Sequence, residues 1–489
     1  MARALEDFEF GYADAEKEFT RVPKIFEDAF FDPRNIVDKL INDPYFLLIG
    51  RKGVGKSAIS AKIRSLANKD DNLYAHPLQL NDFEFSTFAK TNVDKDVIGT
   101  QRYKESWNFI LLLMSYKILF SEIGITENEE FNKVTRLLEN LGFPLKLKMG
   151  YKKDITRLSK LKLGNNIASF DLEFEKAFGT PPATYMERIS TLNDELLSVL
   201  SELFYSDQKI IILIDGVDDI LRFKKNQRDI LASLIRSVDY LNDKFLGNNV
   251  PIKIVLFIRE DIVNMVTDPD LNKIKRDGAI ILSWNNRLED LKSIVNLRFE
   301  YSGIPKNETE SYWDVLFPRK IRDKKSWSHI LDHTLYKPRD ILQFLKSCQE
   351  LYPQKTTLSY SEIRNVLKTY SRDYFIEEMK NEVTGFIDDE YINTLPAVLQ
   401  KMGDRSFTFS DFRNMMEKHV VSKEVNEADL KYLLLMLFES GYIGHLLDIN
   451  RKKGHSVIFK YRNGNSQIDY SQKFITHQGL YNGLGVIGR

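Results

Sequence analysis

Cysteine is nearly absent from this chain: Cys348 stands alone among 489 residues, beside only seven histidines. One thiol excludes an internal disulfide and any cysteine-based metal cluster, and it fits a reducing, cytoplasmic setting. His329 and His333 are the only helix-spaced histidine pair, and they lack the Glu-x-x arrangement of a zinc-binding helix. Net charge is absent too, since 70 basic residues balance 70 acidic ones. No global field therefore selects a partner of either sign. There is no run of eighteen apolar residues, and Met1-Ala-Arg-Ala-Leu-Glu-Asp brings acids where a signal peptide would carry a basic stub and an apolar core. The expectation is a chain with no membrane segment.

What the chain does contain is enough apolar material for large cores, 43% hydrophobic residues against 29% charged, which excludes an intrinsically disordered type. At roughly 150 residues per domain the length predicts two to four domains, with three as the working number.

The most informative stretch is Tyr45-Phe-Leu-Leu-Ile-Gly50-Arg-Lys-Gly-Val-Gly-Lys56-Ser57. It is a complete G-x-x-x-x-G-K-[ST] phosphate loop, fed by an apolar run and followed by a helical pattern from Ala58. Backbone N–H groups at such glycines wrap phosphates, and a helix N-terminus faces their charge. The residues expected to hold the nucleotide are Gly50, Arg51, Lys52, Gly53, Val54, Gly55, Lys56, Ser57 and Ala58, with Lys56 on the β/γ oxygens and Ser57 on Mg²⁺. The expected ligand is ATP with Mg²⁺; no guanine-reading N-K-x-D follows the core strands, and the choice between ATP and GTP stays open at this point.

Lys209-Ile-Ile-Ile-Leu-Ile-Asp215 reads as a buried strand ending in a carboxylate, the form taken when helices cover both faces of a parallel sheet. Asp215 is the expected partner of Ser57 at the metal, since phosphate and carboxylate oxygens must meet the ion's charge together. Gly216-Val217-Asp218-Asp219 follows. This stretch resembles the D-G-x-D-[DE] pattern of STAND ATPases, and by that resemblance Asp218, then Asp219, are candidates to orient an attacking water, with helix capping as the competing role.

Pro251 to Ile258 predicts a third strand and Ala279 to Trp284 a fourth. Arg259 ends the third strand where parallel sheets place ligand contacts, and an ion pair with Glu260 or Asp261 is its alternative role. Arg276 is a weaker candidate for an arginine offered to a neighbouring subunit, against a solvated loop arginine.

The N-terminal segment is aromatic and acidic, from Phe8-Glu-Phe-Gly-Tyr to Phe26-Glu-Asp-Ala-Phe-Phe, and is expected to clamp the core or the adenine. About 140 residues separate the first core helix from the Asp215 strand, so an insertion, mostly helical, must lie there. Ser106 to Phe120 is apolar nearly all round and reads as a buried helix, too short for a membrane span. Between Lys146 and Lys162 seven basic residues (Lys146, Lys148, Lys152, Lys153, Arg157, Lys160, Lys162) face the single acid Asp154. Such a patch suits phosphates of nucleic acid or an acidic partner, and equally a solvated surface.

Beyond Asn286 apolar residues recur three and four apart, the start of a helical lid. Lys337-Pro338-Arg339 opens a further helix with proline in its first turn. From about 375, three helices and two strand-like runs flanking Asn450-Arg-Lys-Lys-Gly-His455 read as a winged helix with a basic wing tip at Arg451, Lys452 and Lys453. Residues 401–489 hold thirteen basic and nine acidic residues, a modest charge for binding DNA. DNA contact and protein docking therefore both stay open.

On these motifs residues 40 to 300 resemble the P-loop ATPase core shared by STAND and AAA+ proteins. A small residue after the metal aspartate with an acid three positions on is similar to the D-G-x-D-[DE] pattern of STAND ATPases. By that resemblance Arg259 is a sensor arginine, and Arg339 matches the lid arginine of origin-recognition-type ATPases. The Phe10-Gly-Tyr-Ala-Asp-Ala-Glu16 opening is similar to that of a bacterial family of uncharacterised P-loop ATPases linked to conflict and antiphage systems. The implied fold is α/β, a parallel-sheet P-loop NTPase core with helical insertion, helical lid and C-terminal winged-helix domain. Its expected boundaries are 1–40 for the N-terminal segment, 41–300 for the core with its insertion at about 83–200, 301–370 for the lid and 375–489 for the winged helix. The implied activity is ATP hydrolysis, slow if the missing glutamate base matters, in a sensor or regulatory switch acting through a homo-oligomer or a partner effector. The alternative is a DNA-dependent ATPase or loader using the basic insertion and the wing.

Overall fold

The computed structural model describes the chain except residues 1–2, 81–82, 84, 92–102, 126, 148–150, 163–166, 180–183, 204, 206, 217–226, 267–269, 404–405, 423, 449–454 and 487–489. The chain divides into two compact units: Arg34–Gly50 with Ile59–Ile281, and Met1–Pro33 with Arg51–Ala58 and Leu282–Arg489.

The first of these is built on a five-stranded parallel sheet. Its strands are β1 (Leu47–Gly50), β2 (Leu73–Gln79), β3 (Lys209–Asp215), β4 (Ile252–Arg259) and β5 (Ala279–Ile281), in the order β2-β3-β4-β1-β5. β1 is buried along its whole length, and β3 is buried from Ile210 to Ile214. Their continuous Ile and Leu runs are what a strand covered on both faces requires. β2 contains Pro77 and is readable as a strand only in place. It lies at the sheet edge, paired with β3 alone, where a missing N–H is tolerated.

Between β2 and β3 the chain forms helices, among them Lys104–Ile118, Glu129–Asn140, Tyr151–Lys162 and Tyr185–Glu202. Lys104–Ile118 is buried from Ser106 onward. Its polar tips are satisfied by backbone: the Trp107 indole N–H donates to the Ile230 carbonyl at 2.9 Å and the Tyr116 hydroxyl to that of Leu196 at 2.9 Å. The Tyr151–Lys162 helix turns Ile155, Leu158 and Leu161 inward. Its one acid is buried with them, Asp154 meeting the Lys117 ammonium at 2.5 Å.

The second unit is mostly helical. Helices Leu288–Tyr301, Lys306–Leu316, Pro338–Leu351 and Tyr360–Tyr370 lead into a five-residue π turn, Ser371–Phe375, and a continuation, Ile376–Val383. The Ser371 hydroxyl donates to the Gly479 carbonyl and accepts from the Gly483 N–H, at 2.6 and 2.9 Å. These bonds tie the π turn to the C-terminal helix Gln478–Leu484. Phe8 and Phe10 of the N-terminal segment pack on Phe299 and Tyr312, so these rings serve the helical unit. A two-stranded ribbon, β6 (Lys320–Ile321) and β7 (Lys324–Lys325), precedes the Pro338 helix.

The C-terminal part is a winged-helix arrangement: helices Asp389–Met402, Phe409–His419 and Glu427–Ser440, then β8 (Ile443–Asp448), β9 (His455–Ile458) and β10 (Lys473–Thr476) in the antiparallel order β10-β8-β9. Phe407 bridges to Phe474 of β10. The fold class read from the sequence is the observed one, with β10 as an added strand. The wing tip Arg451, Lys452 and Lys453 lies outside the described residues. Among those described, no helix is long and apolar enough to cross a membrane.

Candidate functional site

The carboxyl ends of β1, β3 and β4 carry Gly50, Asp215 and Arg259, with Gly50 in direct register with Arg259. This is the end of a parallel sheet at which ligands bind. Asp215 accepts a hydrogen bond from the Gly216 N–H at 2.8 Å, and Gly216 has φ of 78°. That left-handed backbone is the physical reason for a glycine after the aspartate. Arg259, nearly buried, makes a two-pronged pair with Asp261 at 2.9 and 2.7 Å. The ion pair raised as its alternative role is thus present. Arg276 is exposed and paired with its neighbour Asp277. Asp218 and Asp219 lie outside the described residues.

The phosphate loop leaves β1 at Gly50 and enters the helix Lys56–Ala67. Gly53 and Gly55 have φ of 80° and 106°, values that favour glycine. Lys56 is buried and donates to the Arg51 carbonyl at 3.3 Å. The Val54 carbonyl accepts from the Trp284 indole N–H at 2.9 Å. Ser57 and Ala58 follow in the first turn of the helix.

Residues of the helical unit meet this loop. The turn before the Pro338 helix is held by Asp340, whose carboxylate accepts from the Leu335 N–H at 2.8 Å and the Tyr374 hydroxyl at 2.9 Å. Tyr336 within it has φ of 55°, an unusual value for a bulky residue that surrounding contacts must enforce. The turn delivers Lys337 and Arg339 to Gly53: a Cβ there would lie 3.3 Å from Lys337 Cδ and 3.6 Å from Arg339 Cδ. Glu378 lies 3.6 Å from the Lys52 ammonium and 3.8 Å from the Arg339 guanidinium. Burial pulls the Lys337 ammonium down to about 8, against the opposing pull of Glu382 and Asp340.

Lys337, Trp284 and Glu378 were not legible as site residues. Lys337 borders the Pro338-Arg339 motif, and that adjacency was the one available signal. Among the basic residues of 146–162, Arg157 donates to the Leu141 carbonyl at 2.7 Å. Lys146, Lys152, Lys153 and Lys160 are exposed. Lys148 lies outside the described residues.

The donor set fits a magnesium–nucleotide. Mg²⁺ is commonly held through one or two carboxylates plus phosphate oxygens; taken unit by unit, the sheet unit carries the Asp215 carboxylate, and the other unit carries the loop amides, Lys56 and Ser57, donor types that suit phosphate and its metal.

Comparison with known proteins adds three findings. Residues 289–377 match the family model of the FunZ-associated C-terminal helical domain. The chain is similar to the "Putative transposon gamma-delta 80.3 kDa protein" of Escherichia coli strain K12, 21% identical over 341 residues, which covers 69% of this chain and 46% of that protein. The chain thus matches about half the length of this curated relative. Among solved structures, the Aeropyrum pernix ORC1 protein in complex with DNA has 12% identity and a TM-score of 0.41, covering 96% of this chain and 95% of that one.

Proposed function

We propose that this chain binds and hydrolyses ATP with magnesium and acts as a nucleotide-controlled switch. The observation that carries the reading is the phosphate loop itself, seated between a fully buried parallel strand and a helix, with positive φ at Gly53 and Gly55 and a buried Lys56. In this reading the loop amides and Lys56 bind the phosphates, and Ser57 and Asp215 hold the metal. The metal supplies charge neutralisation of the β and γ oxygens when bound. Asp218 or Asp219 would orient the water, and Arg259 and Arg339 would read the γ-phosphate from the sheet and from the lid.

A switch needs a ligand whose affinity differs between two states. The contact of Lys337 and Arg339 with Gly53, all within one unit, supports such coupling, because a change in the loop is felt at the start of the Pro338 helix. A sensor or regulatory role in a bacterial defence or conflict system, through an effector partner or a homo-oligomer, rests on the family resemblance alone.

The test is isothermal calorimetry and phosphate release with ATP, ADP and GTP plus magnesium, together with sedimentation of each state, with and without duplex DNA. Heat and turnover with ATP that are lost in Lys56→Ala support the reading. A folded protein that binds no nucleoside triphosphate overturns it. Equal affinities for ATP and ADP with identical sedimentation would remove the switch, and ATP turnover accelerated by DNA would point to the loader instead.

A further inference from the structure

The Arg51 side chain points away from the loop's glycines and into the winged-helix part of its own unit. Its Nη2 donates to the Leu335 carbonyl at 2.9 Å, and its guanidinium carbon stands 5.3 Å from the centre of the Tyr461 ring. Tyr461 follows β9, and its own position is fixed from several sides. The His477 Nδ1 accepts from the Gly479 N–H at 3.0 Å, so Nε2 carries the proton and donates to the Tyr461 hydroxyl at 2.9 Å. Arg462 Nε donates to the same hydroxyl at 2.9 Å. At Gly441, φ 91°, a Cβ would fall 2.8 Å from Tyr461 Cδ1 and 3.2 Å from Leu335 Cδ2. This glycine lets the ring and Leu335 close in beside β8. The ring is therefore a pre-set platform, since His477 is fully buried and burial holds it well below the usual histidine range, neutral at physiological pH.

The other end of Arg51 bears on the loop's chemistry. Its carbonyl accepts from Lys56 Nζ at 3.3 Å. One residue thus has its side chain on the winged-helix platform and its carbonyl on the lysine that would reach the phosphates. No sequence motif marks Tyr461 for such a role.

We propose that Tyr461 is a positioning residue for the phosphate loop: with the Leu335 carbonyl it clamps the Arg51 side chain, and through Arg51 it sets the loop and Lys56 for an incoming nucleotide. The inference rests on the loop's being the nucleotide site. Its consequence is reciprocal, because two groups coupled by one clamp bias each other equally. Nucleotide bound at the loop tightens the region around Tyr461, and loss of the platform weakens the nucleotide. A guanidinium over an aromatic face contributes about 1 kcal/mol, so the expected loss of affinity is about fivefold.

The test is a double-mutant cycle on the full chain, reading the affinity for ATP with magnesium, with Lys56→Ala as the control that abolishes binding. Arg51→Met and Tyr461→Leu should each weaken ATP by that factor, and the double variant should be no weaker than either single one. Tyr461→Phe keeps the ring and should stay within about twofold of the parent, a rescue based on the retained aromatic face. In the parent chain, ATP should slow amide exchange around residues 459–462, and this slowing should vanish in Arg51→Met. Losses that multiply in the double variant overturn the clamp, as does unchanged affinity in a folded Arg51→Met protein, which decides the matter if Tyr461→Leu does not fold. In both outcomes the parent chain still binds ATP and Lys56→Ala does not, so the nucleotide reading survives. A parent chain that binds no ATP overturns that reading and the clamp with it.

Discussion

The Glu18 carboxylate accepts a hydrogen bond from the Arg298 guanidinium at 2.7 Å, with both side chains nearly excluded from solvent. The same carboxylate accepts from the Tyr12 N–H at 2.7 Å. A Cβ on Gly11, φ 71°, would lie 2.1 Å from Oε2, the oxygen that accepts from Tyr12. Asp14 accepts from the Lys17 N–H and caps the helix Ala15–Arg21. The glycine and the aspartate of the Phe10-Gly-Tyr-Ala-Asp-Ala-Glu16 opening therefore have a structural explanation. Glycine makes room for the carboxylate, aspartate starts the helix, and Glu18 on that helix holds Arg298.

Removing one member of such a buried pair leaves the other charge stranded, which costs about 3–5 kcal/mol. Arg298→Met is expected to lower the stability of the helical unit by that order in denaturant titration. Glu18→Gln should also destabilise the unit, since the two donors address different carboxylate oxygens and a single amide oxygen can accept from only one of those positions.

Lys56→Ala removes the charge proposed to meet the phosphates. Binding and turnover of ATP should be lost, with thermal stability close to the parent chain. Phosphate release and a melting curve check both.

Gly53→Ala forces a side chain into a left-handed backbone, at about 1–2 kcal/mol, and brings a Cβ within 3.3 Å of Lys337 Cδ. ATP affinity is expected to drop about tenfold, and an ATP titration of the variant checks it. Trimming Lys337 to alanine in the same chain should relieve the contact but not the backbone strain, so recovery should be partial.

His333 is buried, and desolvation pulls its imidazole from 6.5 down to about 4. Its Nδ1 faces the His329 carbonyl at 2.9 Å and so carries the proton, leaving Nε2 to accept from the Gln478 amide at 3.3 Å. The folded chain favours the neutral ring, so this contribution is complete above about pH 6.5 and is lost as pH falls toward 4, by about 3 kcal/mol in all. Urea unfolding at pH 7 and pH 4.5 should show a smaller acid loss in His333→Gln than in the parent chain.

The buried strands of the sheet were legible because continuous Ile and Leu runs between charged ends admit few other structures, and the helices because their apolar residues recur three and four apart. β2 escaped notice because Pro77 and His76 disguise an edge strand. β10 escaped because Lys473-Phe-Ile-Thr is only four residues long and is recognisable through its pairing with β8. At the candidate site, Gly53, Lys56, Asp215, Arg259 and Arg339 stand in recognisable local patterns. Trp284, Glu378 and Tyr461 do not, because each reaches the loop or its neighbours across a long stretch of sequence.

By itself, the sequence determined the α/β class, the strand–loop–helix unit around Gly50 to Ser57, and the succession of sheet, helices and winged helix. These follow from periodicity and from glycine placement, which act over a few residues. Only the tertiary structure decided what surrounds the loop: that Arg51 stacks on Tyr461, that Lys337 and Arg339 lie against Gly53, and that Glu18 is reserved for Arg298. Such pairings join residues hundreds of positions apart. They are set by which side chains packing brings together and desolvates, a property no local pattern encodes.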